Sequence, residues 1–388
     1  MTYKDNLLFQ FYIPTRISFG VGTAKSIRGN LKMLGVERAI IVTDNTIANA
    51  PEFPKIREKL GERAACIFDG VVPDSSFDVV NEAVKSARKH GAGGVVSIGG
   101  GSSIDTGKCV ALLLSKNADD IRDFVGLFKA GAPTAPHIAI PTTAGTGSEV
   151  TSMAVIKDND KNVKAIIIDP HLIPTMAILD PELTRTMPAI VTSATGMDAL
   201  THAIEAIHSI NYNPLSDAMA LWAIETIFNY LPRCVENGAD LEARGMMLVA
   251  ANSAGWAFQN ALVGIVHAIA HSLGGLCGVP HGIANAIMLP HGMCYNMIRC
   301  AARYALVAKS IGIDTKGISA ERCAESAIEA VARFTKKLGL PTRLRDVGVP
   351  ETALEDVAKL SIMDMSLFTN PVQPKGWEEI LELLKKAW

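Results

Sequence analysis

Gly94-Val95-Val96-Ser97-Ile98-Gly99-Gly100-Gly101-Ser102-Ser103-Ile104-Asp105-Thr106-Gly107-Lys108 is the stretch that decides the fold. Gly94–Ile98 reads as a buried strand and Ser103–Leu114 as a helix, with three successive glycines at the turn between them. Glycines at a strand-to-helix turn let the backbone approach a phosphate closely. The free N–H groups and dipole of the helix N-terminus then stabilise its charge. Two standard patterns fail here. Gly99-x-Gly101-x-x-Ile104 lacks the third glycine of the usual dinucleotide fingerprint. A Walker loop would need glycine where Ser102 stands and Ser or Thr where Cys109 stands.

The same alternation extends on both sides. Ala39–Thr43, Ala64–Phe68 and His137–Pro141 read as further strands, and Thr23–Leu34, Lys55–Leu60 and Phe77–His90 as helices. Such alternation implies βαβ units and a mostly parallel sheet. Thr151–Lys157, Val163–Ile168 and Met176–Leu179 are β-like runs without clear helices between them, and are expected to form an antiparallel extension or hairpin. From Pro188 to Trp388 the pattern is helical almost throughout, with breaks near residues 211–214, 237–240, 274–280 and 339–341. The expected architecture is therefore an α/β dinucleotide-binding domain over 1–187 and an all-helical domain over 188–388. In open α/β sheets, ligands sit beyond the carboxyl ends of the strands. Pro141–Glu149, rich in Gly, Thr and Ser after a strand, is expected to join the glycine turn there. Asp44, at the end of Ala39–Thr43, is placed like an acidic residue that binds an adenosine ribose.

The chain has 388 residues, long enough for two domains with sizeable cores. A formal net charge of -2 argues against a nucleic acid or an anionic membrane as partner, because both select basic surfaces. Arg333–Lys337 reads as a solvated helix face. Seven scattered cysteines without a CxxC pair indicate reduced thiols and a cytoplasmic location. Met1–Asn6 carries no apolar secretory signal. Residues 245–298 contain no Asp, Glu, Lys or Arg. Within them Met246–Val266 has the length of a membrane span, about 20 residues. Asn252, Ser253, Gln259 and Asn260 interrupt it, so it reads as the buried heart of a helical domain.

Six of the nine histidines fall between residues 202 and 291. Asp198 and His202 are four apart and share one helix face, and His267 and His271 repeat the spacing. His281 and His291 follow. A carboxylate with imidazoles from separate helices is a ligand set for a divalent transition metal such as Fe or Zn. Glu205 shares the face of Asp198 and His202 but is not chosen as a ligand. His208 lies off that face, and His90, His137, His171 and His291 receive no role.

Together these pieces resemble the iron-containing (group III) alcohol dehydrogenase family. The resemblance rests on Gly99–Asp105, Pro141–Glu149, Ile178–Leu183, Ala194–Glu205, His267–Gly275 and Pro280–Pro290, and spans essentially the whole chain. It implies an N-terminal dinucleotide-binding domain, a C-terminal helical domain and an active site in the cleft between them. It implies metal ligands at Asp198, His202, His267 and His281, with His271 near the nicotinamide and substrate and not a ligand. In that place His271 is expected to relay the released proton to solvent. Gly99, Gly100, Gly101 and Ser102 would hold the pyrophosphate. Asp105, Thr142, Thr143, Thr146, Ser148 and Leu183 would belong to the cofactor cleft, with Lys164 near the nicotinamide ribose. Asp44 would favour NAD by repelling a 2′-phosphate. The implied activity is reversible hydride transfer between a small primary alcohol or diol and NAD, with Fe2+ (or Zn2+) as Lewis acid, in a homodimer or larger assembly. A zinc-type polyol dehydrogenase and a dehydroquinate synthase-like lyase are the alternatives.

Overall fold

Apolar strands alternating with amphipathic helices dictate a parallel sheet, and the computed structural model, which describes residues 7–160 and 163–388, contains one. Met1–Asn6, read above as lacking a secretory signal, lie outside the described residues. The chain divides into two compact units, residues 13–187 and residues 7–12 with 188–388.

The first unit has nine described strands: β1 (Arg16–Phe19), β2 (Ala39–Asp44), β3 (Ala64–Val71), β4 (Gly94–Gly99), β5 (Gly126–Leu127), β6 (His137–Pro141), β7 (Met153–Asp158), β8 (Val163–Ile168) and β9 (Met176–Leu179). Its helices are α1 (Ile27–Met33), α2 (Asn45–Ala48), α3 (Phe53–Leu60), α4 (Phe77–Lys89) and α5 (Gly101–Lys116). Six strands form one sheet in the order β1-β9-β6-β4-β2-β3, parallel throughout. β2 and β4 are mostly apolar and buried along almost their whole length because helices cover both faces of a parallel sheet. Along β2 the side chains alternate. Ile40 and Val42 pack with Val80, Val84 and Val110, while Ile41 packs on the other face with Ile27, Leu31 and Ile56. Each such side chain stabilises the unit by about 1.5–3 kcal/mol. Helix α4 has clear ends: the Ser76 side chain accepts from the Val79 N–H, Asp78 lies in the first turn, and Arg88 and Lys89 lie in the last.

From β2 the chain adds β3 on one side and then β4 on the other. The switch point therefore lies between β2 and β4, where ligands bind in open α/β sheets. The register sets Val42 beside Ser97 and Gly99 beside Pro141, so Asp44, Gly99 and Pro141 end at the same edge.

The three β-like runs after residue 150 divide between two sheets. β7 and β8 do form an antiparallel hairpin, with β5 added to β8. Met176–Leu179, however, is not part of that extension. It lies in the main sheet as β9, parallel to both β1 and β6 and buried at all four residues. A four-residue apolar run is what burial on both faces requires. β1 lies on the edge of the main sheet.

The second unit is helical: α6 (Ala189–His208), α7 (Pro214–Glu236), α8 (Leu241–Ala261), α9 (Ile265–Cys277), α10 (His281–Ser310), α11 (Ala320–Lys337), α12 (Leu354–Ser361) and α13 (Trp377–Ala387). Tyr12 joins this unit by donating its N–H to Asn260 Oδ1 at 2.8 Å. α6 is buried almost all round, as expected of a core helix. Close packing against it needs small residues. A Cβ at Gly196 would come within 2.5 Å of the Leu231 methyls, and one at Gly282 would collide with the Ala194 carbonyl.

Between α8 and α9 the chain turns by 106° at a three-residue break. Leu262 adopts φ 65 there, and Asn370 Oδ1 accepts the Ile265 N–H at 3.1 Å. Among the described residues no single helix is long and apolar enough to cross a membrane. All seven cysteines are free thiols.

Candidate metal centre and dinucleotide loops

In the helical unit, α6 carries Asp198, His202 and Glu205 on successive turns, a spacing that places all three on one face. The bend after α8 starts α9 beside this face, two residues before His267. His281 is the first residue of α10, presented by Pro280 at the N-cap position. The result is a convergence of donors. Asp198 Oδ1 lies 3.4 Å from His281 Nε2 and 3.9 Å from His267 Nε2, and the three donor atoms lie within 4.8 Å of one another. Around a tetrahedral ion with donors at about 2.1 Å, neighbouring donors stand about 3.4 Å apart, so only a small contraction is required.

A neutral group now sits among these acceptors. Asn285, one turn after His281, donates from Nδ2 to Asp198 Oδ1 at 2.7 Å, and the same nitrogen lies 3.1 Å from His281 Nε2 and 3.4 Å from His267 Nε2. Its Oδ1 is buried without a hydrogen-bond partner. One amide hydrogen pair thus stands where three lone pairs call for a positive centre. Leaving a buried carbonyl oxygen unmatched costs about 1–3 kcal/mol. This donor set fits a divalent cation.

Burial holds the His267 imidazole well below the usual histidine range, reinforced by His202 and His271. Burial does the same to His281 against the opposing pull of Asp198. Both rings are therefore neutral near pH 7 and keep a lone pair for a metal.

His202 occupies a related position. Its ring stacks between Phe258 at 4.1 Å and His267 at 4.4 Å, and its Nδ1 lies 4.0 Å from Asp198 Oδ2. It borders the three converging donors without belonging to that trio. His271 stacks on His281 with ring centroids 5.5 Å apart, and its Nδ1 bonds Asp364 Oδ2 at 2.9 Å. Burial alone would raise the Asp364 carboxyl, but the His271 hydrogen bond and Ser366 outweigh it and hold it below its ordinary value. Glu205 bonds His267 Nδ1 at 2.5 Å, on the ring edge opposite the donor atom. His208 turns away to the Tyr304 hydroxyl at 2.7 Å. His90, His137 and His171 bond Ser86, Ser97 and Asp169 in the other unit.

Asn285, Phe258 and Asp364 were not singled out from the sequence. The i,i+4 spacing of Asn285 from His281 was the available signal. Asp364 had none, being 93 residues from its partner.

In the α/β unit the glycine turn ends β4 and opens α5. Gly99 adopts φ 153, a conformation that favours glycine, and its carbonyl accepts from the Thr142 N–H at 3.0 Å. Thr146 closes over Gly101, where a Cβ would approach it to 3.0 Å, and Thr143 stands 3.5 Å from the corresponding point at Gly100. The two loops therefore meet at the carboxyl edge of the sheet. Asp44 joins them: Oδ1 caps α2 through the Ile47 N–H at 2.9 Å, and Oδ2 lies 3.4 Å from a Cβ placed at Gly99. Leu183 and Thr142 line a small cleft with Ile47, Phe53 and Ile98.

Asp105 and Ser148 belong to a hydrogen-bonded cluster beside these loops. They bond each other, and Asp105 Oδ2 accepts from the Val155 N–H at 3.0 Å. Both also bond the fully buried Lys108 ammonium, which reaches the Met153 carbonyl at 2.6 Å. This cluster braces the two loops against each other. Lys164 pairs with Asp74 at 2.6 Å.

Residues 14–181 match the family profile described as iron-containing alcohol dehydrogenase, and residues 192–388 match the Fe-containing alcohol dehydrogenase family, C-terminal. The chain is 39% identical to the NAD-dependent methanol dehydrogenase of Bacillus methanolicus over 97% of its own length and 99% of the relative's. It is 38% identical to the lactaldehyde reductase of Escherichia coli (strain K12), over 95% and 97% of the two chains. A solved 1,3-propanediol oxidoreductase superposes with a TM-score of 0.94 at 36% identity, covering 98% of this chain and 100% of that one.

Proposed function

The chain belongs to the iron-containing alcohol dehydrogenase family, and from that premise we propose that it interconverts a small primary alcohol or diol and its aldehyde by reversible hydride exchange with NAD. The observation that carries this reading is the meeting of Asp198 Oδ1, His267 Nε2 and His281 Nε2 on a single amide donor. Asp198, His202, His267 and His281 would hold the metal, with the Asn285 amide yielding its place. When bound, the metal supplies a Lewis acid for the alcohol oxygen, and the dinucleotide accepts the hydride.

The residues of the chain bind and orient. Gly99, Gly100, Gly101 and Ser102 would hold the pyrophosphate at the N-terminus of α5, where backbone N–H groups and the helix dipole favour negative charge. Thr142, Thr143, Thr146 and Leu183 would line the cofactor site, and Lys164 would reach the nicotinamide ribose. Asp105 and Ser148 would also belong to the cofactor cleft, where their bonds to Lys108 would fix the loops. Asp44 would accept from the adenosine ribose hydroxyls, and its charge disfavours a 2′-phosphate. His271, held at Nδ1 by Asp364, keeps Nε2 to take the proton from the alcohol oxygen and pass it to solvent.

The methanol, lactaldehyde and propanediol names of the relatives support small, uncharged substrates. The zinc-type polyol reading is not favoured, since both halves match iron-containing profiles. A cytoplasmic location is supported by seven free cysteines. A homodimer or larger assembly is supported by the exposed apolar side chains Leu8, Phe9, Tyr12, Phe19 and Val21 of the N-terminal segment.

A substrate panel tests the reading. Metal-stripped protein reloaded anaerobically with Fe2+, or with Zn2+, is given NAD and a series of primary alcohols and diols while NADH absorbance is followed. Metal-dependent NADH formation with the short primary alcohols is expected. NAD binding without NADH from any substrate or metal would overturn it.

A further inference from the structure

Glu205 is completely buried on α6, one turn beyond His202, and its two oxygens grip α9 at two points. Oε1 accepts the Val266 N–H at 2.8 Å, and Oε2 bonds His267 Nδ1 at 2.5 Å. One carboxylate thus fixes both the start of α9 and the ring of the donor it carries. We propose that Glu205 is a positioning residue for the metal, holding His267 in the tautomer and orientation that present Nε2 to the ion.

The chemistry is that of a neutral imidazole, which carries one N–H and one lone pair. With Nδ1–H committed to a carboxylate, the lone pair lies on Nε2, the atom facing Asp198 Oδ1 at 3.9 Å. A carboxylate behind a ligating histidine also raises its basicity. Burial raises the Glu205 carboxyl, but His208 and the backbone N–H groups at the start of α9 oppose it, and a bound dication would favour the ionised form further. The surroundings leave Glu205 to this task. His208 approaches Oε1 only to 3.9 Å, and its own Nδ1 is held by Tyr304. Gly264 makes the approach possible: a Cβ there would stand 3.1 Å from Glu205 Oε1 and 2.7 Å from Asn370 Oδ1. The helix bend, the glycine and the carboxylate form one device, because Asn370 and Glu205 receive the consecutive N–H groups of Ile265 and Val266 as α9 begins. Those N–H groups have no partner within the helix. Glu205 is therefore not a ligand, although it shares the face of Asp198 and His202.

The inference rests on the metal reading above, so the experiment separates the two. Zn2+ dissociation constants are measured on metal-stripped protein by competition with a chromophoric chelator, for the parent and for Glu205→Gln, Glu205→Asp and Asp198→Asn. Melting of the stripped proteins and the visible bands of their Co2+ forms are recorded alongside. Glu205→Gln keeps the shape but offers an amide to Nδ1, and Glu205→Asp keeps the charge but cannot span both contacts. Both are expected to bind Zn2+ about 10–100-fold more weakly, with shifted Co2+ bands. Stripped Glu205→Gln, which keeps an acceptor for the Val266 N–H, is expected to melt near the parent, and Glu205→Asp, which gives up one contact, to melt lower. Should Glu205→Gln fail to fold, Glu205→Asp carries the test. Unchanged Zn2+ affinity in the Glu205 variants, together with its loss in Asp198→Asn, would overturn the role of Glu205 and leave the metal site standing. Unchanged affinity in Asp198→Asn would overturn the metal site itself.

Discussion

Asp198→Asn is expected to lower kcat/KM for a primary alcohol by about a thousand-fold or more, because a Lewis acid contributes several kcal/mol and each 1.4 kcal/mol is a factor of ten. Asp198 supplies the charge in a site whose other converging donors are neutral imidazoles. It also makes the shortest of the three contacts of the Asn285 amide nitrogen. Asparagine preserves the shape and an acceptor oxygen for Asn285, so the variant should fold. Iron content per chain, measured after anaerobic loading, should fall in parallel with activity. NADH binding should hold, since the residues assigned to it lie in the other unit. A variant that retains both iron and turnover would contradict the assignment.

Gly99→Ala should produce the complementary defect. At φ 153 an alanine is strained by about 1–3 kcal/mol. Its Cβ would also stand 2.6 Å from Ser103 Cβ, pushing against the first turn of α5. The N–H groups assigned to the pyrophosphate would move away from the position they must hold. NADH titration by fluorescence is expected to show affinity weakened by about tenfold or more, with Zn2+ affinity of the helical unit unchanged. Parent-like NADH binding would sink the phosphate role of the turn.

These two variants mark what the sequence could and could not convey. The β4–Gly99–α5 turn was legible because strand, glycines and helix are consecutive and the chemistry is local. Asp198 with His202, and His267 with His271, were legible through the i,i+4 spacing on single helices. How those helices meet was not. The approach of His267 to Asp198 depends on a 106° turn after α8 at Leu262, in a segment without proline. It also depends on Asn370 and Glu205 receiving the first N–H groups of α9 from distant parts of the chain. Glu205 shared the right face, but only the structure showed that it reaches the far nitrogen of His267. Met176–Leu179 was misplaced for a similar reason, since a short apolar run does not reveal which sheet it enters, and its pairing with β1 and β6 is set by tertiary contacts.

On the proposed function, hydride passes between the carbinol carbon of a small alcohol and NAD under metal control. The most direct measurement uses a primary alcohol carrying two deuterium atoms on that carbon, with Fe2+-loaded protein and NAD, followed by mass spectrometry of the reduced dinucleotide. One deuterium per molecule of reduced dinucleotide is predicted, with none formed by the metal-stripped protein. Reduced dinucleotide that carries no deuterium, or formation that continues without metal, would contradict the account.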